Sequence, residues 1–220
     1  MVFGEILEPS SRALWEDDLE FSETFDETLT WNDPKVPLVI NNIFICDTLR
    51  IVAVFNKCVI GDANAINQLS LGNTKIYRLL NDDYVVTCNG TDVLPGLITE
   101  KLAQWLKVAR SIFVITSNLT TLLQNTAEKS PCVIRALSYK TINAYPQLES
   151  PNMIAGLSAS IFSFCIHCNL PSTLYICYFD EVPLDSLNTQ ILLNLLRKLS
   201  LKVLKHYEYE PTFLYNNLYV

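Results

Sequence analysis

Apolar positions in this chain come in short blocks with two spacings, and the blocks set the order of the expected elements. Residues 38–46 and 50–56 are β-branched and aromatic runs of strand length, read as two strands. Gly61-Asp62-Ala63-Asn64 then opens a predicted helix through Leu71, with Asp62 placed to cap it and Gly72 to end it. Residues 75–80 and 84–88 read as a hairpin across Asn81-Asp82-Asp83. Over residues 95–108 the period changes to that of a helix, with Leu97, Leu102, Trp105, Leu106 and Ala109 on its buried side. A buried strand follows over residues 111–116. Ser117-Asn118-Leu119-Thr120 reads as a capping turn into a short helix through Gln124, and residues 131–137 are strand-like.

The most apolar stretch is residues 148–180. It starts at a turn signal, Ser150-Pro151-Asn152, and residues 155–168 form one nearly all-apolar helix. Ile154, Leu157, Ile161, Phe164 and Cys165 recur at spacings of three and four on one face. Ala155, Ala159 and Ser163 make the other face small enough to lie close to a sheet. Asn169 is placed as the C-terminal cap, and Pro171 forbids continuation. Residues 173–179 are apolar at every position, the pattern of a central strand covered on both sides. A long helix over residues 183–204 closes the order, with Leu187, Ile191, Leu195, Leu199 and Val203 on one face and Arg197, Lys198, Lys202 and Lys205 in its later half. Helices alternating with buried strands imply a single three-layer α/β domain, a central sheet flanked by helices.

Composition sharpens this picture at the two ends. Residues 8–33 hold nine acidic side chains against Arg12 alone, with Trp15, Leu19, Phe21, Phe25, Leu29 and Trp31 scattered among them. That composition reads as a partly disordered, solvated arm, or as an acidic-aromatic segment that folds onto a basic surface. The expected organisation is an acidic N-terminal arm over residues 1–37, an α/β domain over 38–210 and an extended C-terminal tail over 211–220. A net charge of -7 argues against nucleic acid or an anionic membrane as a main partner. No apolar run reaches the roughly 20 residues that span a bilayer, and the first residues do not form a secretory signal. The seven cysteines are an odd number set mostly in apolar contexts, which reads as reduced core residues of a cytoplasmic or nuclear protein.

Candidate chemistry is sparse. Cys165, His167 and Cys168 share one turn at the end of an apolar helix and do not converge as zinc ligands should. The run from Ile51 to Asp62 leads from a predicted strand to a predicted helix, but it has one glycine where a dinucleotide fingerprint needs three. Ser117 sits past a strand end without a nucleophile elbow, and the only histidines are His167 and His206. Asp180 and Glu181 form an acidic pair at a strand end, where helix capping is the expected use. No cofactor and no metal is expected. The alternative to an interaction protein is a small cytosolic α/β enzyme binding a nucleoside- or nucleotide-like ligand at the strand ends near Ser117 and Asp180, where a concave polar pocket is then expected.

The tail carries the clearest exposed chemistry. Tyr215-Asn216-Asn217-Leu218-Tyr219-Val220 ends the chain with no charged side chain. An apolar residue, a tyrosine and a last residue with its carboxylate suit a pocket that offers an apolar cavity, a hydrogen-bond partner and a lysine.

Taken with Leu148-Glu-Ser-Pro-Asn-Met-Ile154, Leu170-Pro171, Leu174-Tyr-Ile-Cys-Tyr178-Phe-Asp180 and Leu184-Asp185, this ending gives the chain a resemblance to the proteasome assembly chaperone 1 family. Phe3-Gly4-Glu5, Ser130-Pro131 and Arg135-Ala-Leu137 fit the same pattern, whereas the acidic arm departs from it in sequence. The resemblance implies a non-catalytic α/β domain that heterodimerises with proteasome assembly chaperone 2. It implies binding to the proteasome α subunits, promotion of α-ring assembly and prevention of off-pathway α-ring dimers. It also implies that Leu218, Tyr219 and Val220 insert between adjacent α subunits, with the Val220 carboxylate facing a pocket lysine.

Overall fold

A computed structural model describes residues 29–89, 93–128, 130, 132–180, 184 and 186–204. The first strand, β1, is Ile40–Cys46. Helix α1, Leu49–Phe55, follows and passes into a π-helical turn at Asn56–Ile60. Three strands come next: β2 at Asn67–Gln68, β3 at Thr74–Arg78 and β4 at Tyr84–Cys88. Helix α2 is Pro95–Lys107 and β5 is Ala109–Leu119. The remaining elements are β6 at Cys132–Tyr139, α3 at Gly156–His167, β7 at Ser172–Phe179 and α4 at Ser186–Lys198.

The strands form one mixed seven-stranded sheet in the order β2-β3-β4-β1-β5-β7-β6. Strands β4, β1, β5 and β7 run parallel in the middle; β3 and β6 are antiparallel to their inner neighbours. Alternation along each central strand splits the core in two. Ile43, Ile45, Val114, Leu174 and Ile176 face α2 and α3, while Phe44, Cys46, Ile115, Tyr175 and Phe179 face α1 and α4. This is the expected three-layer architecture, with helix pairs on both faces. All eight residues of β7 are buried, in keeping with a strand covered on both sides. Among the described residues, no helix is long and apolar enough to cross a membrane.

Several element assignments change. Residues 50–56, expected as a strand, are helix α1. Of its seven buried residues, Ile51, Val54, Phe55, Cys58 and Val59 follow a spacing of three and four, with Val52 and Ile60 widening the face, and the spacing becomes visible only when the run is read past Asn56. Gly61 ends this helix instead of opening the next. It has φ +59°, and its N–H reaches the Asn56 carbonyl at 2.9 Å. No helix occupies residues 62–71, where the chain turns into the short strand β2. Strand β5 runs through Ser117 to Leu119, so the expected capping turn is still strand and only Thr120–Leu122 turns helically.

The last two helices keep their place and most of the expected faces, with Ile161, Cys165 and Leu195 buried and Leu157, Phe164, Ile191 and Leu199 packed against the core. In α3 the buried residues are Ser158, Ile161, Phe162 and Cys165. Ala155 and Ser163, expected against the sheet, are exposed, because Ser158 is drawn inward to Asp47. Asn169 stands just beyond the helix at φ +62°, as a C-terminal stop should. Helix α4 stops at Lys198, earlier than expected, at a turn where Ser200 takes φ +61°. Leu192, Leu193, Leu195 and Leu196 carry its buried face, and Leu187 is exposed. The chain beyond it is tied back by the Leu204 N–H donating to the Cys58 carbonyl at 2.7 Å.

The end of the acidic segment lies on this body. Leu29 is buried, the Trp31 indole N–H donates to the Lys101 carbonyl at 3.0 Å, and the Trp31 ring packs 6.1 Å from Trp105. Asp33 and Asn67 exchange two hydrogen bonds, its N–H to Asn67 Oδ1 at 3.1 Å and the Asn67 amide to its carbonyl at 2.6 Å.

Candidate functional site

The sheet opens a cleft at the carboxyl ends of β1, β4 and β5. The chain leaves β1 toward α1 on one face and leaves the adjacent β4 toward α2 on the other. Neighbouring connections that diverge in this way leave a crevice that no backbone fills. The cavity measures about 470 Å³. Its polar floor is Asp47, Thr48, Thr116, Ser117 and Asn118, and its apolar wall includes Ile98, Leu157 and Ile176.

Asp47 organises this floor. It is the first residue after β1 and reaches across to α3, whose N-cap residue, Ala155, has no side chain able to cap. Asp47 Oδ2 accepts the Ser158 N–H at 3.0 Å, so the cap comes from a residue 111 positions away. Asp47 Oδ1 is buried without a hydrogen-bond partner. Burial raises the carboxyl above its ordinary range, and hydrogen bonds from Thr116 and Ser158 pull it partly back. Beside it the Thr48 and Ser117 hydroxyls bond each other at 2.8 Å.

Among the described residues, the cleft brings no histidine to Ser117. Ser117 is present, but His167 stands at the far end of the 12-residue helix α3, roughly 16 Å along its axis from the N-terminus that lines the cleft. His206 lies outside the described residues. Asp180 is not among the cleft-lining residues: its carboxylate accepts the Thr120 hydroxyl and ties down the loop after β5. The predicted strand-to-helix turn at Gly61 is the end of a helix, which removes the geometry a nucleotide would need.

Cys165 is buried against the sheet, Cys168 is half-buried and His167 is exposed, so the three point in different directions. Burial pushes the thiols of Cys88 and Cys165 up to about 12, which keeps them protonated and unreactive. Among the described residues, no group of three or more His, Cys, Asp or Glu is placed to hold a metal ion. The tail residues Leu218, Tyr219 and Val220 lie outside the described residues.

Two features escaped the sequence reading. Asp47 is a lone acid directly after an apolar strand, a placement that marks strand-end sites in α/β folds. Arg135 is buried within β6. Its Nε sits 2.9 and 2.8 Å from the two Glu149 carboxylate oxygens, and Nη1 donates to Glu128 at 2.9 Å. Only the antiparallel pairing of β6 shows that this arginine points inward.

The three-layer α/β fold has counterparts among solved structures. It is similar to the Pyrococcus furiosus protein PbaA, described as an archaeal homolog of proteasome-assembly chaperone. That match has a TM-score of 0.56 and 14% identity, over 80% of this chain and 87% of that one. A family model with the short name PAC1 and the description "Proteasome assembly chaperone 4" matches residues 75–218. Proteasome assembly chaperone 1 of Mus musculus is 36% identical over 84 residues, 37% of this chain and 29% of the mouse protein. Its Xenopus tropicalis counterpart is 28% identical over 125 residues, 50% of this chain and 42% of that protein. The chain belongs to the proteasome assembly chaperone 1 family. The matched segments amount to less than half the length of these curated relatives.

Proposed function

We propose that this chain is a non-catalytic chaperone for assembly of the proteasome core particle, acting in the cytoplasm or nucleus. It heterodimerises with proteasome assembly chaperone 2, binds the α-subunit ring, promotes ring assembly and blocks off-pathway α-ring dimers. Leu218, Tyr219 and Val220 dock in a pocket between α subunits, the ring and apolar side chains filling it and the carboxylate meeting a lysine. The observation that supports this reading is the family match over residues 75–218, which runs from β3 through the rest of the domain and ends at Leu218. The enzyme alternative has less support, since among the described residues no histidine reaches Ser117 in the cleft.

A three-residue contact is weak alone and gains by effective concentration when a folded body docks on the same ring. The test is co-purification of the full chain, and of a chain ending at Asn217, with chaperone 2 and the α subunits. The expected result is that both forms retain chaperone 2 and only the full chain retains the α subunits. Equal recovery of α subunits by both forms overturns the tail assignment. Recovery of neither partner by the full chain overturns the assembly-chaperone reading.

A further inference from the structure

We infer that the rim of the cleft at the strand ends is a protein docking face, whose permanent occupant is a partner chain presenting apolar side chains around one Lys or Arg. Exposed apolar residues line the cleft or stand next to its lining residues in the chain. Met153, 87% exposed, lines the cleft itself. Leu49, 70% exposed, follows the lining residue Thr48, and exposed Leu94 sits between Val93 and Pro95, which both line it. Exposed Leu119 follows the lining residue Asn118. Leu122 is held nearby because Gln124 and Asn152 exchange hydrogen bonds at 2.8 and 2.9 Å, joining its loop to the one that carries Met153.

A small molecule inside the cavity would leave Leu49, Leu94, Leu119 and Leu122 in water, whereas a protein surface covers rim and floor together. Permanent cover fits so apolar a rim better than a passing contact does. The charge of the floor selects the central group. Among the described lining residues Asp47 is the one carboxyl and there is no Lys, Arg or His, while Thr48, Ser117 and Asn118 supply acceptors. A guanidinium or ammonium group is complementary to that set, and a phosphate or carboxylate is repelled by it. The floor and the apolar rim repeat the arrangement of an interface hot spot, a polar anchor in a pocket ringed by side chains that exclude water.

This inference rests on the assembly-chaperone reading for the identity of the probe, proteasome assembly chaperone 2. Affinity for purified chaperone 2 would be measured for the wild-type full chain and for Met153→Lys, Met153→Glu and Ile142→Lys. Both positions are exposed, so the fold is undisturbed, and circular dichroism verifies this. Ile142 follows β6 at the opposite end of the sheet, near Ser172. The expected result is that Met153→Lys raises Kd by about tenfold or more. Met153→Glu should raise it less, because a partner cation tolerates the new carboxylate, and Ile142→Lys should leave it unchanged. A Met153→Lys effect no larger than that of Ile142→Lys, or a larger loss with Glu than with Lys, overturns the inference while wild-type binding keeps the functional reading. Loss of α-subunit binding instead of chaperone 2 binding overturns the permanent partner. A wild-type chain that does not bind chaperone 2 removes the functional reading and this one with it.

Discussion

Replacing Asp47 tests whether one side chain holds the wall of the cleft. In Asp47→Ala the Ser158 N–H, on a residue only 1% exposed, loses its acceptor and the α3 N-terminus loses its cap. Losing a cap costs about 1 kcal/mol, and an unsatisfied buried donor about 1–3 kcal/mol. The two overlap, and removing a buried charge returns part of the loss, so the net destabilisation expected is about 2 kcal/mol. For a chain of this length that lowers Tm by about 4–8 °C. Asp47→Asn keeps an acceptor and removes the charge, so its stability should fall within about 0.5 kcal/mol of the wild type.

The pH dependence has a definite sign. Burial raises the folded-state pKa of Asp47 above the ordinary 3.8, so the folded chain binds the proton more tightly than the unfolded chain. Wild-type stability relative to Asp47→Asn therefore rises as pH falls from above the folded-state value toward 3.8 and levels off below it. Calorimetry at several pH values, with hydrogen exchange at the Ser158 amide, measures both effects. Equal Tm values for the Ala and Asn variants would refute the capping argument. A relative stability that falls on acidification would refute the desolvation argument.

The Arg135 cluster should respond asymmetrically. Glu128→Gln with Glu149→Gln leaves a guanidinium that is 4% exposed without a charge partner, at about 3 kcal/mol in urea unfolding, while Arg135→Met leaves two partly solvated carboxylates and costs about 1 kcal/mol. Arg135 holds Glu149 below its ordinary 4.5, so this contribution is present above 4.5 and lost as pH falls through the lower folded-state value, as unfolding at pH 7 and pH 3 would show. Trp105→Ala empties the core beneath Trp31 and Tyr84, at about 4 kcal/mol by denaturant titration; Trp105→Phe costs less, because the indole N–H has no hydrogen bond to lose. Gly61→Ala forces an L side chain to φ +59° with its Cβ 3.2 Å from Leu204 Cδ1, so a loss of about 1–2 kcal/mol is expected by thermal melting.

Much of the fold could be read from periodicity because burial writes itself into spacing. The β3–β4 hairpin, the amphipathic α2 and the all-apolar β7 each carry a pattern that only one kind of element satisfies. The misreadings occur where local preference and tertiary context disagree. Ile51 to Phe55 is rich in strand-favouring residues, yet it forms a helix because Cys58 and Val59 extend the same face onto the sheet. Gly61 marks a boundary in the sequence, but which side of it is helical depends on whether the preceding turn finds a surface to cover.

The candidate sites divide along the same line. By itself the sequence determined an α/β chain with a large core, reduced cysteines and the family resemblance, all of which rest on composition, spacing and local motifs. Tertiary structure alone decided the rest. It set a cap for α3 from 111 residues away, turned Arg135 inward and lined one cleft with residues from β4, β5, β7 and the connections around them. The reason is that spacing records how each segment meets the core, whereas these contacts join segments whose separation along the chain carries no signal until the sheet fixes strand order and direction.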